Sequence, residues 1–179
     1  MKRIFSVILV ILLIYISEII AFALTPGSCT QSAKNYQNSG MRTITLVCSG
    51  SPDDGAIPNI AISTANTALI TGYRLEQVEA YPTVGGTAPD AADVFILTDT
   101  GIDLLGSVDG STTAYMGLNL IHATLTKRAY PDIYLTGSTS HAHYSPMITG
   151  VLTLKVLNQA TASANYTIVL TFQKQTENN

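Results

Sequence analysis

From Arg42 to Lys174 the chain runs as short apolar segments broken by polar punctuation about every 8 to 12 residues, the rhythm of strands joined by turns. The strongest instance is Asp93 to Gly106, DVFILTDTGIDLLG. An apolar run through Val94, Phe95, Ile96 and Leu97 is followed by a polar turn at Asp99-Thr100-Gly101 and a second run through Ile102, Leu104 and Leu105. The stretch reads as a β-hairpin around which the rest is organised: Gly101 tolerates positive φ, and Asp99 can bond its own backbone across the turn. Because Val94 to Leu97 is apolar on both faces, its first arm reads as a doubly covered strand.

Elsewhere the alternation is cleaner. Arg42 to Ser49 sets Ile44, Leu46 and Cys48 on one face and Thr43, Thr45 and Val47 on the other, as in a half-buried strand. Asn59 to Ser63 reads as a short strand and Ala65 to Leu69 as a connector. Thr71 to Tyr81 fits a strand or, through Leu75 and Val78, a helix; the flanking Gly72 and Pro82 favour the strand. Met116 to Thr126 fits either. Pro131 confines any strand over Ala129 to Leu135 to an edge. Gly137 to Pro146 reads as a polar loop. Met147 to Leu157 and Tyr166 to Lys174 close the chain as two strands, with Gln159 to Asn165 as their hairpin loop. Amphipathic helices between strands are missing, so the expected class is all-β: a mostly antiparallel β-sandwich or jelly roll over residues 41–179.

Residues 1–23 are of another kind. Lys2 and Arg3 precede an almost wholly apolar run from Ile4 to Ile16, and Ala21-Phe22-Ala23 supplies small residues before Thr25-Pro26-Gly27. Charged start, apolar core and A-x-A exit is the order of a secretory signal peptide. The competing reading is a retained membrane anchor, which would carry Glu18 into the bilayer at a cost of about 2.5 to 3.5 kcal/mol. A lipoprotein attached at Cys29 lacks the aliphatic residue expected ahead of it. Residues 24–40, rich in Ser, Gln, Asn and Gly, read as an irregular arm.

The 179 residues hold nine basic and twelve acidic side chains, and once Lys2, Arg3 and Glu18 leave with the leader the net charge is −4. The basic residues are scattered, with Lys127-Arg128 the one adjacent pair, so there is no basic face for nucleic acid. Membrane contact is expected only through residues 1–23. Export also frames the two cysteines: Cys29 and Cys48 admit one pairing, and a disulfide between them would pin the start of the mature chain onto the first strand.

Catalytic motifs are missing: nothing matches G-x-S-x-G, H-E-x-x-H or a phosphate-cradling glycine loop. His141 and His143 would share a face on a strand and could hold two positions of a metal, but solvent-facing loop histidines explain them more simply. His122, between Ile121 and Ala123, reads as half-buried. Asp99, Asp103 and Asp109 could offer oxygen to calcium, although turn formation accounts for them, as it does for Asp53-Asp54. Glu76 and Glu79 read as exposed carboxylates rather than an acid–base pair. No cofactor is implied. Tyr73, Tyr81, Tyr115, Tyr130, Tyr134 and Tyr144 fall near loops or strand ends, where flat rings with polar tips either serve protein contacts or stack on sugars, or cap the two open ends of the sandwich. Asn165-Tyr166-Thr167 forms an N-glycosylation acceptor, relevant only in a eukaryotic secretory pathway.

From Gly72 onward the order of signals resembles small β-sandwich proteins of tailed-phage structural gene clusters. A strand like Gly72 to Val78, then Pro89-Asp90 leading into DVFILTDTGIDLLGS, then GVLTLKVLNQ and NYTIVLTFQ carry the resemblance, over residues 72–174. It implies a structural, oligomer-forming role without catalysis. The export signal and cysteine pair depart from that group, and fit a membrane-containing virus or a module adopted at the cell surface. The expected function is therefore an exported, non-catalytic assembly module whose partners are itself or other structural proteins. The alternative is a secreted carbohydrate- or ligand-binding domain.

Overall fold

The computed structural model describes residues 25–106, 119–131, 133–134, 141–142 and 146–174, the pairs 133–134 and 141–142 by their backbone alone. The expected signal or anchor segment 1–23, Asp109, Tyr115, His143 and Tyr144 lie outside the described residues. The strands are β1 (Ser28–Tyr36), β2 (Met41–Ser49), β3 (Ile60–Ala61), β4 (Tyr73–Pro82), β5 (Asp93–Leu97), β6 (Lys127–Ala129), β7 (Ile133–Tyr134), β8 (His141–Ala142), β9 (Thr153–Leu157) and β10 (Asn165–Lys174). One short helix, α1 (Thr64–Ile70), follows β3. Every pairing between named strands is antiparallel. A five-stranded sheet has the order β1-β2-β10-β4-β6, a three-stranded sheet the order β3-β9-β5, and β7 pairs with β8.

The central strand of the larger sheet is β10, flanked along its length by β2 and β4. Its alternation does what the sequence promised: Tyr166, Ile168, Leu170 and Phe172 are buried, opposite Cys48, Leu46 and Ile44 on β2 for the first three. The smaller sheet contributes Val94, Ile96, Leu154 and Val156 to the same hydrophobic cluster, which also takes in Ile62, Ile70, Leu104 and Leu105.

Three expectations are corrected. First, the organising element is β10 and not a hairpin over Asp93–Gly106. The first arm forms β5, but it pairs along its length with β9. The second arm folds back on it through the Leu97–Asp103 bridge and two backbone hydrogen bonds, Thr98 N–H to Ile102 O and Leu104 N–H to Ile96 O, and does not continue as a strand. The reason is that the Asp103 side chain, rather than a backbone carbonyl, accepts from the Ile96 and Leu105 amides, so the ladder stops there. Second, β9 and β10 are not a hairpin: they belong to different sheets. Asn158 and Ser163 adopt φ of 63° and 54°, turning the chain out of one sheet and into the other. Third, the arm expected at 24–40 contains a nine-residue strand, β1. Its polar residues gave no alternation because it lies at the sheet edge, exposed over most of its length. The connector at 65–69 is helical, capped by Ser63, whose hydroxyl accepts from the Asn66 amide at 3.3 Å.

The strand expected over Thr71–Tyr81 is β4, with one irregularity. Its register against β10 passes from Gln77 opposite Thr171 to Leu75 opposite Phe172, skipping Glu76. This bulge lets Leu75 and Val78, three apart, both face the core, and so explains why the segment also resembled a helix. Within Gly137–Pro146, the backbone of His141–Ala142 forms β8.

Candidate functional site

The site with the most distinctive construction is the edge strand β1. Cys29 stands directly opposite Cys48, with the register continuing one for one to Tyr36 opposite Met41. The two cysteines form a disulfide, Cα to Cα 4.0 Å. Cys48 is buried on the core side of β2, so the bridge fastens the N-terminal end of the edge strand to the hydrophobic cluster. Gln31 fastens its middle: Nε2 donates to the Ala61 carbonyl at 2.7 Å, while Oε1 accepts from the Ser63 amide at 3.0 Å and from Asn66 Nδ2 at 3.3 Å. One side chain thereby ties β1 to β3 and to the capped start of α1.

Beyond Gln31 the strand opens to solvent, Ser32 to Tyr36 all being exposed. Lys34 is its one charged residue. The ammonium lies 4.7 Å from the centroid of the Tyr36 ring, a cation–π contact that draws the charge toward the C-terminal end of the strand. Beyond Lys34 the same outward face carries Thr43, Thr45 and Val47 on β2, then Val169 and Thr171 on β10, so it is uncharged over those two strands. Charge returns on β4 and β6, where Arg128 Nε donates to Glu79. The carboxylate holds the Arg128 guanidinium above its ordinary pKa through this hydrogen bond and the attraction of opposite charges.

The three singled-out tyrosines whose side chains are described, Tyr73, Tyr81 and Tyr130, do not converge. Tyr73 packs against the core under the Arg42 guanidinium, 4.1 Å from its ring centroid, whereas Tyr81 lies at the other end of β4. The bulge at Glu76 turns the two toward opposite faces of the sheet. Tyr130 is 50 % exposed just after β6, and Tyr134 is described only as backbone in β7. A surface tyrosine the sequence reading overlooked is Tyr36, 39 % exposed at the end of β1; its segment carried no strand signal.

The carboxylates have structural duties. Asp103 Oδ1 accepts from the Ile96 and Leu105 amides at 2.9 and 3.2 Å, closing the tight turn after β5. Asp93, also buried, accepts from the Asn119 amide and from Asn158 Nδ2. The Asp99 side chain lies against Gly150, too close for a Cβ there. Asp54 accepts from the Ala56 amide, and that bond, with help from Ser51, lowers its pKa. Glu79 is occupied by Arg128 and Gln77, and Glu76 sits at the bulge. His122 Nδ1 accepts from the amides of Thr124 and Leu125. Among the described residues no group of three His, Cys, Asp or Glu is placed to hold a metal ion. A hollow of about 180 Å³ lies between the 98–100 turn and residues 146–152. That is below the roughly 300 to 1,000 Å³ of small-molecule sites.

The glycosylation acceptor opens β10: Asn165 Nδ2 is engaged by the Ser163 carbonyl at 2.6 Å, and Thr167 is buried. Among the described residues, then, the built surface feature is an edge strand, rigid at two points and open along its outer side. No family model, no curated protein and no solved structure matches the chain.

Proposed function

We propose that the chain is an exported, non-catalytic assembly module, a β-sandwich that makes protein–protein contacts within a virion or at a cell surface. The observation that carries this reading is β1, a nine-residue edge strand clamped to the core by the Cys29–Cys48 disulfide and left exposed. A disulfide persists in oxidising compartments, which supports export together with the leader-like residues 1–23. The hydrophobic cluster shared by both sheets supports the sandwich, since two sheets that share one core bury their inner faces against each other. The described carboxylates are taken up by turns and an ion pair, and the hollow beside the 98–100 turn is small. A wider depression of about 520 Å³ over residues 35–39 is open surface at the end of β1 itself, which supports contact surface as the feature with functional content. The resemblance of residues 72–174 to tailed-phage structural proteins points the same way.

The test is the native mass of the protein recovered from the oxidising compartment of an expression host, with its N-terminus determined by mass spectrometry. The expected result is a chain beginning after Ala23 that self-associates as concentration rises in sedimentation or light scattering. A strictly monomeric species would overturn the assembly reading, and a protein retained in the cytoplasm with reduced cysteines would overturn export.

A further inference from the structure

The open edge strand fits one occupant better than any other: the same strand of a second copy. Natural sheets blunt their edges with short strands, prolines, charges, bulges or covering segments, because an open edge pairs with whatever strand it meets. The remaining edges here carry such devices. β6 has three residues, two of them Lys127 and Arg128, and ends ahead of Pro131. β3 has two residues. β5, fully buried from Asp93 to Ile96, has Asp103 and Ile121 bridged to its two ends. Among the described edge strands only β1 is long, free of proline and regular in register throughout, with Lys34 as its single charge.

We propose that β1 pairs antiparallel with β1 of a second copy about a two-fold axis at Ser32, joining two five-stranded sheets into one of ten; this inference rests on the assembly reading above. The register follows from the strand itself. A two-fold axis perpendicular to the sheet keeps inner faces inner, and centring it on Ser32 is the one choice that overlaps all nine residues from Ser28 to Tyr36. Nine paired residues provide about eight to ten interchain backbone hydrogen bonds. The axis sets Lys34 opposite Thr30 of the second copy, with the two lysines separated by four residues, about 14 Å along the strand. The cation–π contact with Tyr36 draws each ammonium further from the axis. An axis at Lys34 would instead bring the two charges face to face, so the lone lysine selects the register.

The pairing also ends itself. Joining β1 to β1 leaves the short, charged β6 at both outer edges, so the product is a closed dimer rather than a growing ribbon. The disulfide and the Gln31 hydrogen bonds hold β1 in place beforehand, which reduces the ordering cost of association.

Charge variants read the register. S32K sets one pair of lysines opposite each other on the axis and is expected to weaken self-association about 1.5- to 5-fold. T30E sets a carboxylate opposite Lys34 of the second copy, twice by symmetry, and is expected to strengthen it about 2- to 30-fold. T171K, on the same face but two strands inward, is expected to leave it unchanged. All three positions are outward-facing, and melting curves at low concentration report whether each variant folds. Hydrogen exchange on the unmodified protein provides an independent check: β1 amides gain protection as concentration rises, and β6 amides do not. Self-association that ignores S32K and T30E, with no change in β1 exchange, overturns this pairing while leaving assembly standing. A protein that never leaves the monomer overturns both.

Discussion

Cys29 and Cys48 face each other across neighbouring antiparallel strands, so their bond ties the outermost strand of the larger sheet to a core position rather than stapling a loop. The sequence separation of 19 residues gives a closed loop whose loss of unfolded-state entropy is worth about 3 kcal/mol. Replacing both cysteines by serine is expected to lower unfolding stability by about 2 to 4 kcal/mol in urea titrations. A loss below about 1 kcal/mol would show that β1 is held by its backbone ladder alone.

Asp103 supports the end of β5 with a single oxygen. D103A leaves the buried amides of Ile96 and Leu105 without that acceptor and is expected to cost about 2 to 4 kcal/mol. D103N retains a carbonyl oxygen and is expected to cost less. Equal losses from the two variants would mean that charge, not the acceptor, matters at this turn.

Tyr166 is fully buried on β10, and its hydroxyl has no hydrogen-bond partner among the described residues. Burial pushes its phenol well above the ordinary tyrosine value, and the negative charge of Asp90 adds to the effect. The folded state therefore keeps a proton that the unfolded chain releases above about pH 10. The resulting stability is fully present below that pH and is lost progressively as pH rises further. Y166F is expected to flatten this alkaline decline and, by removing an unsatisfied hydroxyl, to hold or raise stability at neutral pH by up to about 1 kcal/mol. Denaturation midpoints for both proteins at neutral and alkaline pH test the sign.

Gln31 makes three hydrogen bonds from one amide to β3 and the start of α1. Q31A is expected to cost about 1 kcal/mol and to speed hydrogen exchange at Ser63 and Asn66, while the Cys29 end of β1 keeps its protection. Unchanged exchange at Ser63 would show that the cap does not depend on the edge strand.

Asp54 lies in the turn after β2, where the Ala56 amide and then Ser51 hold its pKa below the ordinary value. Because the folded-state value is depressed, the stability it contributes is present above about pH 4 and is lost as pH falls through the folded-state value. D54N is expected to flatten the acid limb of the thermal midpoint between about pH 5 and pH 3. An unchanged limb would assign acid sensitivity to other carboxylates.

The residues by themselves determined which segments would be strands where one face is buried. Ile44, Leu46 and Cys48 on β2, and Ile168, Leu170 and Phe172 on β10, alternate because a pleated strand turns successive side chains to opposite sides, and that signal is local. The pairing of Cys29 with Cys48 was likewise legible, there being only two cysteines. Three features were not, each for a physical reason. β1 was hidden because an edge strand wet on most of its surface has no core face to pattern its side chains. The bulge at Glu76 was hidden because an extra residue is defined only against a partner, here β10. The assignment of β9 and β10 to different sheets was hidden because apolar alternation reports that a face is covered, never which strand lies alongside. Those choices were made by the one hydrophobic cluster to which both sheets contribute, which outweighs the local hairpin between neighbours in sequence, and they are what leave β1 open at the edge.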